Sequence, residues 1–256
     1  MWSPSGRNVA FASWRDGGAN VYVMEPDGSN LRRLTDGPQL DQSPTWSPSG
    51  KEVAFASDAG ISVIDVASGA MREVTTDPPG ISALGGGPRW SPDGATIAFT
   101  VQWRGGADIW TMDADGGNRR NLTDNADDPK QEDWLPAWSP DATRMVFTSI
   151  RGDGPINADI YSMRRDGSDV HRLTRHPWAD VYPAWAPGGD SIAFISTRDN
   201  EPGVYKMGVD GDDQRPLQLF ERTIRSIDWF VPEVLSVSAV GKRPFTWGWL
   251  KGKTLP

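Results

Sequence analysis

The sequence contains no cysteine and only two histidines. The first absence excludes disulfides and thiolate metal sites, and it fits the cytoplasm and a bacterial periplasm alike. With His171 and His176 alone, a histidine-rich metal centre is excluded as well. Long apolar runs are missing. No stretch reaches the roughly 18 residues of a membrane-spanning helix, so no membrane insertion is expected. Basic residues are in deficit, 26 against 34 acidic ones, for a net charge of -8. That balance argues against nucleic acid or an anionic membrane as a partner. No signal peptide is legible, because the chain opens "MWSPSG", already inside a motif that recurs.

Glycine, proline and tryptophan are abundant instead, at 28, 21 and 13 residues. Gly and Pro punctuate turns, so many short elements are expected in place of long helices. The tryptophans mark a repeat. "MWSPSGRNVAFAS", "PTWSPSGKEVAFAS", "PRWSPDGATIAFT", "PAWSPDATRMVFTS" and "PAWAPGGDSIAFIS" place them at Trp2, Trp46, Trp90, Trp138 and Trp185. A weaker copy, "IRSIDWF", puts a sixth at Trp229. The spacings run from 44 to 48 residues, the length of one four-stranded propeller blade.

Each repeat has a second half, such as "NVYVMEPDGSNLRRLT" or "ADIYSMRRDGSDVHRLT". The whole reads as four strands: A ("PTW"), B ("EVAFAS"), C ("NVYVM") and D ("LRRLT"). Ser-Pro-x-Gly separates A from B and x-Asp-Gly separates C from D. Pro pre-sets the turn dihedral and Gly supplies positive φ, so both are hairpin connections. Strand B has no polar side. Val53 and Phe55 point one way and Ala54 the other, so both faces must be covered. Large residues on one blade meeting small ones on the next would do this.

The run W-S-P-[SD]-G-x-x-[IV]-A-F, followed by D-I-Y-x-M-x-x-D-G-x-x-x-R-x-L-T, resembles the TolB-type, WD40-like propeller repeat over roughly residues 1–220. "MDADGGNRRNLT" is very close to that pattern. The resemblance implies an all-β fold: a single six-bladed β-propeller over 1–256, with four-stranded antiparallel blades. It covers the propeller alone; nothing matches the N-terminal α/β domain found in TolB. It also implies a periplasmic or secreted, envelope-associated role with a lipoprotein-type partner. Closure of the ring is open at this point. Blade 1 keeps only Met1 and Trp2 of its inner strand, and 231–256 degenerates into a tail with strand-like runs at 235–240 and 245–250. Either the tail completes blade 6 beside blade 1, or the natural chain begins upstream.

Up-and-down topology puts the uniform A–B and C–D turns on one face and the irregular B–C and D–A loops on the other. Loops on a rigid scaffold are the usual place for binding residues. Four tryptophans break the repeat there: Trp14, Trp103, Trp134 and Trp178. They are candidates for contact with a protein or peptide partner, or else caps on the blade ends. Arg15, Arg104, Arg151 and Arg198 hold similar places in four B–C loops, as partner contacts or in local salt bridges. Asp41, Asp133 and Asp180 each stand three residues before the Pro of P-x-W. Gly85 takes that place in blade 3 and Ile224 in blade 6. Three carboxylates converging on a channel mouth would repel one another unless solvated, protonated or bridged by a cation, for which Ca²⁺ or Mg²⁺ would suit. The alternative is that each caps its own loop.

Catalytic signatures are sparse. Gly189-Asp190-Ser191-Ile192-Ala193 lacks the second Gly of G-x-S-x-G, and no hydrolase domain of the kind joined to peptidase propellers is legible. Asp113-x-Asp115-Gly116 matches the C–D turn of other repeats better than a calcium loop. The expectation is a monomeric, non-enzymatic scaffold needing no cofactor. A carbohydrate-active or other metal-assisted enzyme using the three Asp is the alternative.

Overall fold

Strand B of every described repeat becomes the middle of an antiparallel sheet. The computed structural model describes residues 1–37, 40–75, 87–103, 106–124, 131–151, 157–198 and 203–219. Among these there is no α-helix. Blade 1 holds an isolated Trp2–Val9 bridge and strands β1 (Val9–Ser13), β2 (Asn20–Met24) and β3 (Arg32–Arg33). Blade 2 holds β4 (Gln42–Trp46), β5 (Glu52–Ser57), β6 (Gly60–Asp65) and β7 (Met71–Thr75). Blade 3 holds β8 (Arg89–Trp90), β9 (Thr96–Trp103), β10 (Gly106–Asp113) and β11 (Arg120–Asn121). Blade 4 holds β12 (Glu132–Trp138), β13 (Arg144–Ile150), β14 (Ala158–Arg164) and β15 (His171–Arg172). Blade 5 holds β16 (Asp180–Trp185), β17 (Ser191–Ser196), β18 (Gly203–Gly208) and β19 (Arg215–Leu219). Neighbours within a blade pair antiparallel in sequence order. One parallel bridge, Ala107 to Glu132, links blades 3 and 4. The repeat around Trp229, the tail 231–256, Gly85 and Ile224 lie outside the described residues.

The interfaces between blades show why strand B is apolar on both sides. Ala10, Val21 and Val23 of blade 1 receive Trp46, Val53 and Phe55 of blade 2. On the other side of that strand, Ala54, with Ile61 and Val63, receives Trp90, Ile97 and Phe99 of blade 3. Ala98 and Ile109 receive Trp138, Met145 and Phe147. Val146 and Ile160 receive Ile192, Phe194 and the half-buried Trp185. Large on one face and small on the other lets each blade key into the next. Each buried Phe contributes roughly 1.5–3 kcal/mol by area.

The polar letters of the repeat have local tasks. The Ser of W-S-P is buried, and its hydroxyl accepts the backbone N–H five residues on: Asn8 to Ser3 at 3.0 Å, Glu52 to Ser47 at 3.1 Å, Thr96 to Ser91 and Arg144 to Ser139 at 2.9 Å. The Thr of R-x-L-T latches strand D to strand C. Thr35, Thr123 and Thr174 each accept a backbone N–H at 3.0 Å, from Val21, Ile109 and Ile160. The same hydroxyls donate to Asn20, Asp108 and Asp159.

The C–D turn does more than reverse the chain. Gly116 has φ +96, and a Cβ there would lie 2.1 Å from the backbone oxygen of Val74 in the preceding blade. Gly69, with φ +74 in the same turn of blade 2, has no described atom within 4 Å of that point. Gly69→Ala should therefore cost only the left-handed penalty of roughly 1–2 kcal/mol. Gly116→Ala should cost clearly more, because blades 2 and 3 must also move apart. Urea unfolding of the two variants measures the difference.

Candidate binding face

On the face of the B–C and D–A loops, blades 4 and 5 carry the same five-part clamp. Strand B supplies a Phe and, two residues later, a Ser; strand C supplies a Tyr directly opposite the Phe. Phe147 stacks on Tyr161 and Phe194 on Tyr205, each with centroids 5.9 Å apart. An Arg two residues beyond the Ser lies over both rings. The Arg151 guanidinium is 5.7 and 4.9 Å from the two centroids and that of Arg198 is 5.3 and 4.6 Å. Its Nε donates to the Ser hydroxyl, at 2.9 Å for Ser149 and 2.8 Å for Ser196. The outer edge then grips the Asp at the start of the inner strand. Arg151 Nη2 meets Asp133 Oδ2 at 2.8 Å, and Arg198 Nη2 meets both Asp180 oxygens at 3.1 and 2.9 Å. Both carboxylates are fully buried. Arg198 is almost fully buried too and also reaches Gln214 Oε1 at 3.1 Å.

Asp133 and Asp180 thus face guanidinium groups, and Asp41 departs from them. Ala59 stands where the Arg would be, and Ser62 pairs with Phe55 in place of the Tyr. Asp41 is only 4% exposed and its Oδ1 has no hydrogen-bond partner. Burial pushes its carboxyl above the ordinary range; the nearby Thr35 hydroxyl opposes this and the charge of Asp58 adds to it. The structure does not gather the three aspartates into a ligand set. Among the described residues no group of three His, Asp or Glu side chains is placed to hold a metal.

The tryptophans divide in the same way. Trp14 is 60% exposed and Trp178 49%, whereas Trp134, inside β12, is half-buried. Trp103 ends β9 with its side chain outside the described part, and Arg104 lies outside it altogether. Arg15 is exposed and lies over Phe11 and Tyr22 at 5.6 and 5.1 Å.

The inner strands meet around a cavity of about 350 Å³, lined by Trp46, Trp90, Trp138 and Trp185 with Leu135, Tyr182 and Arg89. Leu135 and Tyr182 hold φ of 60 and 56 at bulges in β12 and β16, so the lining is backbone-strained. Arg89 puts a cation in this wall. Sequence reasoning passed over it, although the sign was visible: the x of P-x-W is Thr45, Ala137 or Ala184 elsewhere and Arg only in "PRW".

Equivalent substitutions should therefore act with opposite signs. Asp180→Asn leaves Arg198 without its charge partner and should cost about 3 kcal/mol or more. Asp41→Asn removes a desolvated charge and should hold or raise stability at pH 7. With its pKa raised on folding, Asp41 binds its proton more tightly in the native state, so wild-type stability falls as pH climbs through that pKa. The advantage of Asp41→Asn should close as pH falls below about 4, the unfolded carboxyl range. Urea midpoints across pH measure both.

Comparison with known proteins agrees with this architecture. The model of the TolB beta propeller domain matches residues 1–80, 59–156 and 130–231. A TolB homolog of Chlorobium luteolum is 29% identical over 274 aligned positions, covering 89% of this chain and 61% of its own. The structure of TolB from Acinetobacter baumannii superposes with a TM-score of 0.68 at 20% identity, over 84% of this chain and 54% of that one. Oligogalacturonate lyase from Vibrio parahaemolyticus gives 0.66 at 15% identity, over 86% and 64%. At such identities these structures show the fold alone. The chain spans 49%, 21% and 61% of the length of three curated relatives that it matches. Five in-register repeats and family matches running from residue 1 to residue 231 make this chain a member of the TolB β-propeller family.

Proposed function

We propose that this propeller is a non-enzymatic scaffold that binds a protein or peptide partner through the face of its B–C and D–A loops. One observation carries the reading. Trp46, Trp90, Trp138 and Trp185 of the refrain pack between blades, whereas Trp14 and Trp178, which the repeat does not require, are exposed on that face. Exposed Trp on a rigid frame is the usual anchor of a recognition surface. Trp134 and the Arg15 loop lie on the same face, and Trp103 and Arg104 belong to it by their place in the repeat. Trp229 begins a sixth blade in this reading, which 231–256 completes beside blade 1, and the protein is a monomer of the periplasm, as the family resemblance suggests. No cofactor is required. A Ca²⁺ or Mg²⁺ ion at Asp41, Asp133 and Asp180 is not part of the proposal, since two of those carboxylates already face guanidinium groups. Likeness to oligogalacturonate lyase is one of fold, and no carboxylate cluster among the described residues adds to it.

Trp14→Ala and Trp178→Ala should leave the thermal midpoint nearly unchanged and together abolish capture of the partner from an envelope extract of the source organism. Trp46→Ala, by contrast, should cost roughly 3–5 kcal/mol. Unfolding of the first two variants would make their rings structural caps, and undiminished capture would move the surface elsewhere.

A further inference from the structure

An arginine in strand D latches one blade to the next. Arg32 of blade 1 donates through Nη2 to the Val66 carbonyl of blade 2 at 2.5 Å. Arg72 of blade 2 donates through Nη1 to the Ala114 carbonyl of blade 3 at 3.1 Å. Both carbonyls lie in the C–D turn of the following blade. Arg120 holds the same register place in blade 3, opposite Thr111 where the others face Val23 and Val63. The turn ahead of it is built alike. Val66, Ala114 and Arg165 each donate a backbone N–H to the end of an A–B turn, at 2.8, 3.0 and 2.9 Å. Yet among the described residues the exposed Arg120 guanidinium takes no hydrogen bond and no ion pair. Charge explains the difference. Asp65 precedes Val66 and Asp113 precedes Ala114, but Arg164 precedes Arg165. An acid at that place draws the strand D arginine in, and a second guanidinium repels it. Arg165 itself turns inward over the Trp138 ring, to Asp93 and to Thr96 Oγ1. A groove of about 420 Å³ is left between blades 3 and 4, with Arg120 and Arg164 in its walls.

We propose that this groove binds a phosphate group, with Arg120 of blade 3 and Arg164 of blade 4 as its two clamps. Cations outnumber their partners here. Asp169 alone serves Arg144 at 2.8 Å, Arg164 at 3.3 Å and His171 at 2.6 Å. Arg164 meets it through Nε, which leaves both Nη groups for a ligand. The acids of the groove wall already have donors. Asp113 accepts the Asn118 amide and Asp166 the Ser168 hydroxyl, each at 2.6 Å. A phosphate suits the place better than a carboxylate. Its tetrahedral oxygens accept from two blades at once, and its second charge answers the second guanidinium. The groove is wider than a bare phosphate, and Met112 and Leu122 in its lining suit the organic part of a small monoester. A net charge of -8 gives anions no general attraction to this protein, so the attraction is local. The groove lies at the C–D turn end of the blades, opposite the exposed tryptophans, and is independent of the partner surface proposed there.

The test is NMR of the arginine Nε–Hε signals of the full chain, with chloride at matched ionic strength as the control. The probes are inorganic phosphate and glycerol 3-phosphate. The expected result is a saturable shift of the Arg120 and Arg164 signals with phosphate and none with chloride. Arg72, already latched, should stay still. Tighter binding of glycerol 3-phosphate assigns the site to a monoester, and equal binding assigns it to the free anion; either upholds a phosphate site. Arg120→Gln should weaken binding roughly tenfold or more. It should also leave the thermal midpoint without ligand unchanged, while Arg72→Gln should lower that midpoint. Unmoved Arg120 and Arg164 signals overturn the proposal, as does undiminished binding in Arg120→Gln. So does a fall in its midpoint matching that of Arg72→Gln, which would show Arg120 latched like its counterparts.

Discussion

Everything in this molecule depends on strand B having no polar side. A strand with one wet face could end a sheet stack; this one cannot. Val53 and Phe55 need the alanine side of blade 1, and Ala54 needs the tryptophan side of blade 3. A single blade would leave both faces in water, so stability is a property of neighbours. The small residues matter as much as the large ones. Ala10, Ala54 and Ala98 set how closely successive blades approach, and only a close approach lets Trp138 Nε1 donate to the Arg89 carbonyl at 3.0 Å on the preceding inner strand.

Short strands at this packing density leave many backbone groups near the core, and the polar letters of the repeat satisfy them. The buried serines close the A–B turns and the threonines close strand D on strand C. Between them, Asp108 and Asp159 receive the threonine hydroxyls from below the loop face. Asp159 also holds Arg172 at 2.6 Å; burial still pushes its carboxyl upward, with that cation opposing. On the opposite face an ion pair ties two blades together. Arg165 of blade 4 reaches Asp93 of blade 3, and hydrogen bonds from Ser91 and from Arg165 bring that carboxyl down to about 2. The frame is rigid where it is regular, and the irregular loops are free to vary on it.

Blade period, strand order, turns and the large-small pattern were all legible in the sequence, because each is local or recurs at a fixed spacing. The clamp was legible only in pieces. Arg151 and Arg198 were visible as loop arginines, and Asp133 and Asp180 as pre-proline carboxylates. Their meeting was not visible, since it joins the start of strand A to the end of strand B, 18 residues apart, through side chains whose direction the sequence does not state. The signal that could have shown it was F-x-S-x-R opposite a Tyr, present in blades 1, 4 and 5 and absent from blade 2. Exposure of Trp14 and Trp178 was equally beyond reach, because a loop ring turns outward or inward according to contacts the repeat does not set.

The clamp has a consequence that lies in its copying. Blades 4 and 5 hold both charges, and blade 2 holds the acid without the arginine. Biochemists make such a series by mutagenesis, as a double-mutant cycle, to isolate the coupling between two groups. Here duplication and divergence have written two corners of the cycle into one chain. A single native sample, titrated residue by residue, would report how a buried carboxylate behaves with its counter-ion and without it.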